Sequence, residues 1–127
     1  MASEGLHERA DLIGEAVIDR HRVIVSLMEE LEAMDWYDQR VAATADESLK
    51  ALLAHNRDEE KEHAAMAIEW LRRHDPVFDE NLHTYLFTTV PVTEVEAQAM
   101  EGNPAAEPNP AGDGSLGIGS LKGIEGR

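Results

Sequence analysis

Cysteine is absent from this chain of 127 residues, which removes disulfides and thiolate ligands together, so any metal must be held by Glu, Asp or His. That donor set selects hard or borderline cations. Basic residues are scarce: 11 Lys and Arg stand against 26 Asp and Glu, a formal charge of −15, which repels nucleic acid and anionic lipid and favours cations near the surface. Acidity alone is also what plain solubility requires, so it permits cation handling without indicating it. No long apolar run of the kind that spans a bilayer occurs, and the start, Met1-Ala2-Ser3-Glu4, has neither a basic region nor an apolar stretch. Neither a membrane span nor a secretory signal is expected, which points to the cytosol.

What is present is helical. Leu12, Ile13, Ala16, Val17, Ile24, Leu27, Met28, Leu31 and Met34 recur at spacings of three, four and seven, which predicts one long amphipathic helix over residues 6–40. The break is expected at residues 41–46, with Thr44-x-x-Glu47 as a capping box opening a second helix. Leu49, Leu52, Leu53, Asn56, Glu60, His63, Ala67, Trp70 and Leu71 continue that helix until Asp75-Pro76 stops it. Proline suits a first helical turn, so Pro76 to about Thr88 reads as a short third helix, closed by Pro91. The class is therefore all-α: an antiparallel hairpin plus a short helix over residues 1–98, a flexible linker over 99–112, and a tail. At 43% hydrophobic residues such a hairpin buries little alone, so self-association is expected.

The chemistry-bearing residues are Glu30 in the first helix and Glu60-Lys61-Glu62-His63 in the second. Residues equally far from the loop centre lie level in an antiparallel hairpin, which sets Glu30 beside Glu60. Glu60 and His63, three apart, share one helix face. One Glu from one helix and a Glu-x-x-His pair from its neighbour is half of the ligand set of a carboxylate-bridged di-iron bundle; a second chain must supply the other half. Glu-x-x-His also occurs at Glu4-His7 and Glu80-His83, so spacing alone is weak. What distinguishes this pair is position on the apolar stripe, where a carboxylate is costly unless paired, protonated or metal-bound. The competing reading is a solvated charge run with an ordinary histidine.

Glu29 and Glu32 share a different face from Glu30 and are either solvated acids or, near a symmetry axis, a secondary cation site. Trp36 and Tyr37 follow one turn on: an electron relay, a shield, or plain interface packing. Arg20-His21-Arg22 is a basic island suited to salt bridges across an interface, and His55 has no assigned role.

Three stretches resemble the encapsulated ferritins: Met28-Glu29-Glu30-Leu31-Glu32-Ala33-Met34-Asp35-Trp36-Tyr37-Asp38-Gln39-Arg40, then His55 to Met66 with Trp70-Leu71-Arg72-Arg73, and a C-terminal Asp113-Gly114-Ser115-Leu116-Gly117-Ile118-Gly119-Ser120-Leu121-Lys122. The resemblance implies half of a ferritin-like four-helix bundle, completed by dimerisation, with dimers joined in an annular homodecamer. It implies a ferroxidase centre in which Glu30, Glu60 and His63 of two chains hold two irons, with Tyr37 near it, and an acidic metal site at Glu29 and Glu32, suited to Ca²⁺, beside Trp36. The third stretch, within residues 113–123, is similar to the peptide that loads such ferritins into an encapsulin shell; its Leu116, Ile118 and Leu121 are apolar anchors in a polar tail. The shell would then be the iron store, since an open ring encloses no cavity. Ile124-Glu125-Gly126-Arg127 resembles a processing-protease site and is read as a remnant. Two other functions fit the same residues: a cargo adaptor that binds Ca²⁺ or Zn²⁺ without turnover, and a di-iron or di-manganese peroxidase.

Overall fold

The computed structural model describes residues 5–102, which carry five helices and no strand: α1 (Ala10–Ile13), α2 (Glu15–Ala43), α3 (Glu47–Arg73), α4 (Pro76–Tyr85) and α5 (Val92–Gly102). The all-α expectation holds. The described residues form two compact units that divide between His74 and Asp75. The tail, with the 113–123 segment, lies outside the described residues.

The first unit is a hairpin of α2 and α3. Its antiparallel sense is visible in three cross-helix contacts: Asp38 with Arg57 near the loop, Glu30 with His63 midway, and Arg20 with the His74 carbonyl at the open end. The expected helix over 6–40 is divided at Gly14, whose φ of +93° lies where only glycine is comfortable. α2 then runs on to Ala43, so the loop shrinks to three residues. Thr44 is not the start of α3. Its hydroxyl donates to the Arg40 carbonyl at 2.6 Å and finishes α2, while the Asp46 carboxylate accepts from the Leu49 N–H at 2.8 Å and caps α3. That bond, followed by one from the Ser48 hydroxyl, holds the Asp46 pKa below its usual value. Asp46 wins because it immediately precedes the first helical residue, where an N-cap oxygen reaches the free N–H groups.

α3 ends against its own last turn. The His74 ring stacks on Trp70 with centroids 3.7 Å apart, and its Nδ1 lies 2.8 Å from the Trp70 carbonyl. A carbonyl only accepts, so that nitrogen carries the proton. Glu69 bonds Arg72 at 2.9 Å and Arg73 at 2.6 Å, which places cations where the helix dipole favours them.

The hairpin has little core. No residue of α2 is fully buried, and α3 contributes only Ala64 and Leu71. Val17, Ile24 and Leu31, spaced by seven, remain 43–45% exposed. An amphipathic helix that leaves its apolar stripe half in water has a partner still to meet.

In the second unit, Asp75 accepts from the Phe78 N–H at 3.1 Å and Pro76 occupies the first turn of α4, as its sequence predicts. The helix stops at Tyr85 rather than near Thr88. Pro91, read from sequence as a terminator, instead opens α5: its carbonyl accepts from the N–H groups of Glu94 and Val95 at 2.9 and 3.0 Å. α5 extends to Gly102, four residues into the stretch expected to be linker.

Candidate metal centre

Two long helices bring three ligand-type side chains to one point. His63 Nδ1 lies 3.3 Å from Glu30 Oε1 and 3.6 Å from Glu60 Oε1. One donor atom from each of the three falls within 4.8 Å of the others, and this is the one group of three or more such side chains among the described residues. One ion with bonds of about 2.0–2.6 Å can bridge that spread. All three side chains are half-buried, Glu60 at 23% exposure, Glu30 at 27% and His63 at 42%. The cluster thus opens on a face of the hairpin rather than lying sealed inside it.

The electrostatics are those of crowded acids. A hydrogen bond with Glu30 raises the Glu60 pKa, helped by partial burial and by the Glu30 charge; His63 pulls the other way without winning. For His63, loss of solvent is the largest single influence and pulls its pKa down, but the hydrogen bonds and charges of Glu30 and Glu60 together outweigh it, so the net shift is upward. Both shifts favour the protonated forms, so a cation at the cluster competes with protons for these groups.

One turn before Glu60, Arg57 reaches across to Asp38 at 3.1 Å and also bonds Asp58 at 3.1 Å, with only 21% of its side chain exposed. Its hydrogen bond to Asp58, then that to Asp38, raises the guanidinium pKa further. This clasp was not read from the sequence. Its signal is an Arg three residues before Glu60 on the same stripe, facing an Asp beyond Tyr37.

The other candidates stand apart from the triad. Glu29 is exposed and Glu32 half-buried, and neither joins a metal-capable group. Trp36 is 50% exposed. Tyr37 is half-buried, with the Arg40 guanidinium 5.3 Å from its ring centroid, a cation–π distance. Arg22 of the basic island pairs with Asp19 and Glu15 of its own helix. His55 pairs with Glu59. In the second Glu-x-x-His, His83 turns to the Asp79 carboxylate at 3.2 Å and not to Glu80, so equal spacing does not make equal sites. No described helix is long and apolar enough to cross a membrane.

A family profile described as EncFtn-like matches residues 5–89. The chain belongs to the EncFtn-like family. Within that group it is 57% identical, over 96% of its length and 91% of the other's, to the "Encapsulated ferritin-like protein" of Rhodospirillum rubrum. It is 33% identical, over 77% of its length and 80% of the other's, to the "Encapsulin nanocompartment cargo protein EncC" of Myxococcus xanthus. Among solved structures, the crystal structure of protein ne0167 from Nitrosomonas europaea matches with a TM-score of 0.66 and 59% identity, covering 68% of this chain and 96% of that one. The helical hairpin is thus the EncFtn-like fold, and the resemblance read in the sequence is to the right family.

Proposed function

We propose that this EncFtn-like chain is a subunit of a ferroxidase that oxidises Fe(II) to Fe(III) at a centre shared by two copies. The observation that carries this reading is the convergence of Glu30, Glu60 and His63 within 4.8 Å on a half-open face. One chain offers two carboxylates and one imidazole. Two copies offer the four carboxylates and two histidines of a di-iron bundle, a Glu from each of two helices and a Glu-x-x-His from each of the others. The donors fit the metal, since carboxylate oxygen and imidazole suit iron and favour its ferric state.

Iron here is substrate, each Fe(II) giving up one electron to dioxygen. The chain's own residues bind and exchange protons. Glu30, Glu60 and His63 take up the cation, which competes with protons at Glu60 and His63, the two groups whose pKa values are raised. Tyr37, two turns beyond Glu30 on the same face of α2, is assigned to the surroundings of the two-chain centre on the family resemblance alone. Glu29, Glu32 and Trp36 flank the approach, with Ca²⁺ or iron at the two acids.

The names of the relatives support a shell partner. We assign residues 113–123 as the peptide that docks in an encapsulin groove, residues 99–112 as its tether, and the interior of an encapsulin nanocompartment in the cytoplasm as the working location. A homodecameric ring is the assembly that the family resemblance favours. Deleting residues 113–127 then leaves oxidation intact and abolishes loading.

The test is aerobic Fe(II) oxidation followed by ferric absorbance, with the intact protein beside its His63→Ala variant and a protein-free blank. A fast phase found only in the intact protein is expected. Rates equal to the blank overturn the reading in favour of a metal-binding adaptor, and dependence on added peroxide with an organic reductant favours a peroxidase.

A further inference from the structure

Phe87 is the least comfortable residue of the described chain. It follows the last residues of α4 in a left-handed conformation, φ 62°, and is the one non-glycine residue with positive φ among those described. That is the position after a helix where glycine is normally found, because a Cβ is strained there. Its ring is also 91% exposed, more than any other large apolar side chain described. A bulky aromatic at such a φ is an outlier whose persistence calls for a compensating contact. Nothing among the described residues of its own unit provides one.

A surface of matching chemistry lies on α3. Glu62, Ala65, Met66, Glu69, Trp70 and Arg73 line an open groove of about 370 Å³, with Met66 57% exposed. Thioether and indole are favoured neighbours of a phenyl ring, and aromatic and methionine side chains concentrate in the cores of protein interfaces.

Charge selects the occupant. Copies carrying −15 each repel wherever their acids meet. The stretch from Thr84 to Thr93 has no charged residue at all, and at the groove Glu69 is already neutralised by Arg72 and Arg73. Glu62 is the groove's other acid, so Arg72 and Arg73 balance its two carboxylates in number, and copies that meet there and at the uncharged stretch repel less than where acid meets acid. The hairpin's poor core independently requires association.

We propose that Phe87 is an anchor that inserts into the Met66–Trp70 groove on α3 of a second copy of this chain. Because anchor and groove sit on different parts of one chain, each copy offers both, and the contact either closes reciprocally in a pair or repeats from copy to copy towards a ring. The contact is separate from the metal centre and does not depend on it.

The test places p-benzoylphenylalanine at Phe87 of the full chain, mixing ¹⁴N and ¹⁵N copies before illumination. The expected product is a covalent dimer whose linked peptide contains Met66 of the other copy. Phe87→Gly is the companion variant: glycine relieves the backbone, so helicity and monomer stability hold or improve, while self-association measured by sedimentation weakens at least tenfold. Met66→Glu weakens it likewise. Both measurements are repeated in His63→Ala, where iron oxidation is expected to fail and the crosslink to survive. No crosslink, a crosslink within one chain or outside residues 62–73, or a Phe87→Gly chain that assembles like the parent overturns the proposal.

Discussion

Glu30 and His63 meet at 3.3 Å across the hairpin, one from each long helix, so the arrangement of the helices and the protonation of the site are one problem. Both His63 and Glu60 have pKa values above their ordinary 6.5 and 4.5. Each must lose its proton to bind a cation.

The first prediction follows from those signs. A group whose pKa is raised on folding stabilises the metal-free fold below its unfolded pKa, and that contribution fades as pH rises through the raised folded value. Metal affinity runs the other way, climbing with pH as these groups, whose pKa values lie above 4.5 and above 6.5, lose their protons. Tm measured from pH 4.5 to 8 with and without Co(II) is expected to diverge with increasing pH, with protons released on binding. Parallel curves, or the same divergence in His63→Ala, refute it.

The second concerns the Arg57–Asp38 clasp. It pins α2 to α3 one turn from Glu60, so Arg57→Ala is expected to slow iron oxidation with little change in helicity. A displacement near 1 Å at a reacting centre costs up to about a hundredfold. The exchange Arg57→Asp with Asp38→Arg is expected to recover most of the loss in stopped-flow traces. Failure of that exchange, with an intact fold, assigns the effect to the Arg57 charge itself.

The third concerns Glu69, whose hydrogen bonds to Arg72 and then Arg73 lower its pKa from 4.5 to about 2. A depressed folded pKa gives stability that is present above 4.5 and is lost as pH falls towards 2. Glu69→Gln is therefore expected to reduce thermal stability slightly at pH 7 and to match the parent near pH 2. An NMR titration that puts the Glu69 midpoint near 4.5 removes the basis for this.

Much of this was legible in the sequence. The apolar stripes of α2 and α3 carry Glu30, Glu60 and His63 with them, and a carboxylate on such a stripe advertises itself. What escaped has physical reasons. Thr44-x-x-Glu47 matched a capping pattern, but Asp46 stood closer to the free N–H groups. Pro91 looked like a stop because proline ends helices, although the logic that opened α4 at Pro76 applied equally to Val92–Gly102. Gly14 did not stand out because an isolated glycine is tolerated within a helical pattern. Phe87 fell inside the expected third helix without being singled out, and a backbone angle has no sequence signature when the residue is not glycine.

Ala64 offers the sharpest test of how close packing supports the site. It is 5% exposed, beside His63, and lies on the stripe that joins Glu60 to Leu71, also 5% exposed. Leu71→Ala leaves a void and is expected to cost about 2–5 kcal/mol, yet it sits two turns from His63 and leaves the triad in place. Ala64→Leu overfills instead, at a cost of about 1–3 kcal/mol, and must shift α3 at the residue next to the ligand. The two variants should therefore rank oppositely: Leu71→Ala worse in chemical denaturation, Ala64→Leu worse in Co(II) affinity. The same ranking in both measurements would mean that metal binding merely follows global stability and that local packing around His63 has no separate part in it.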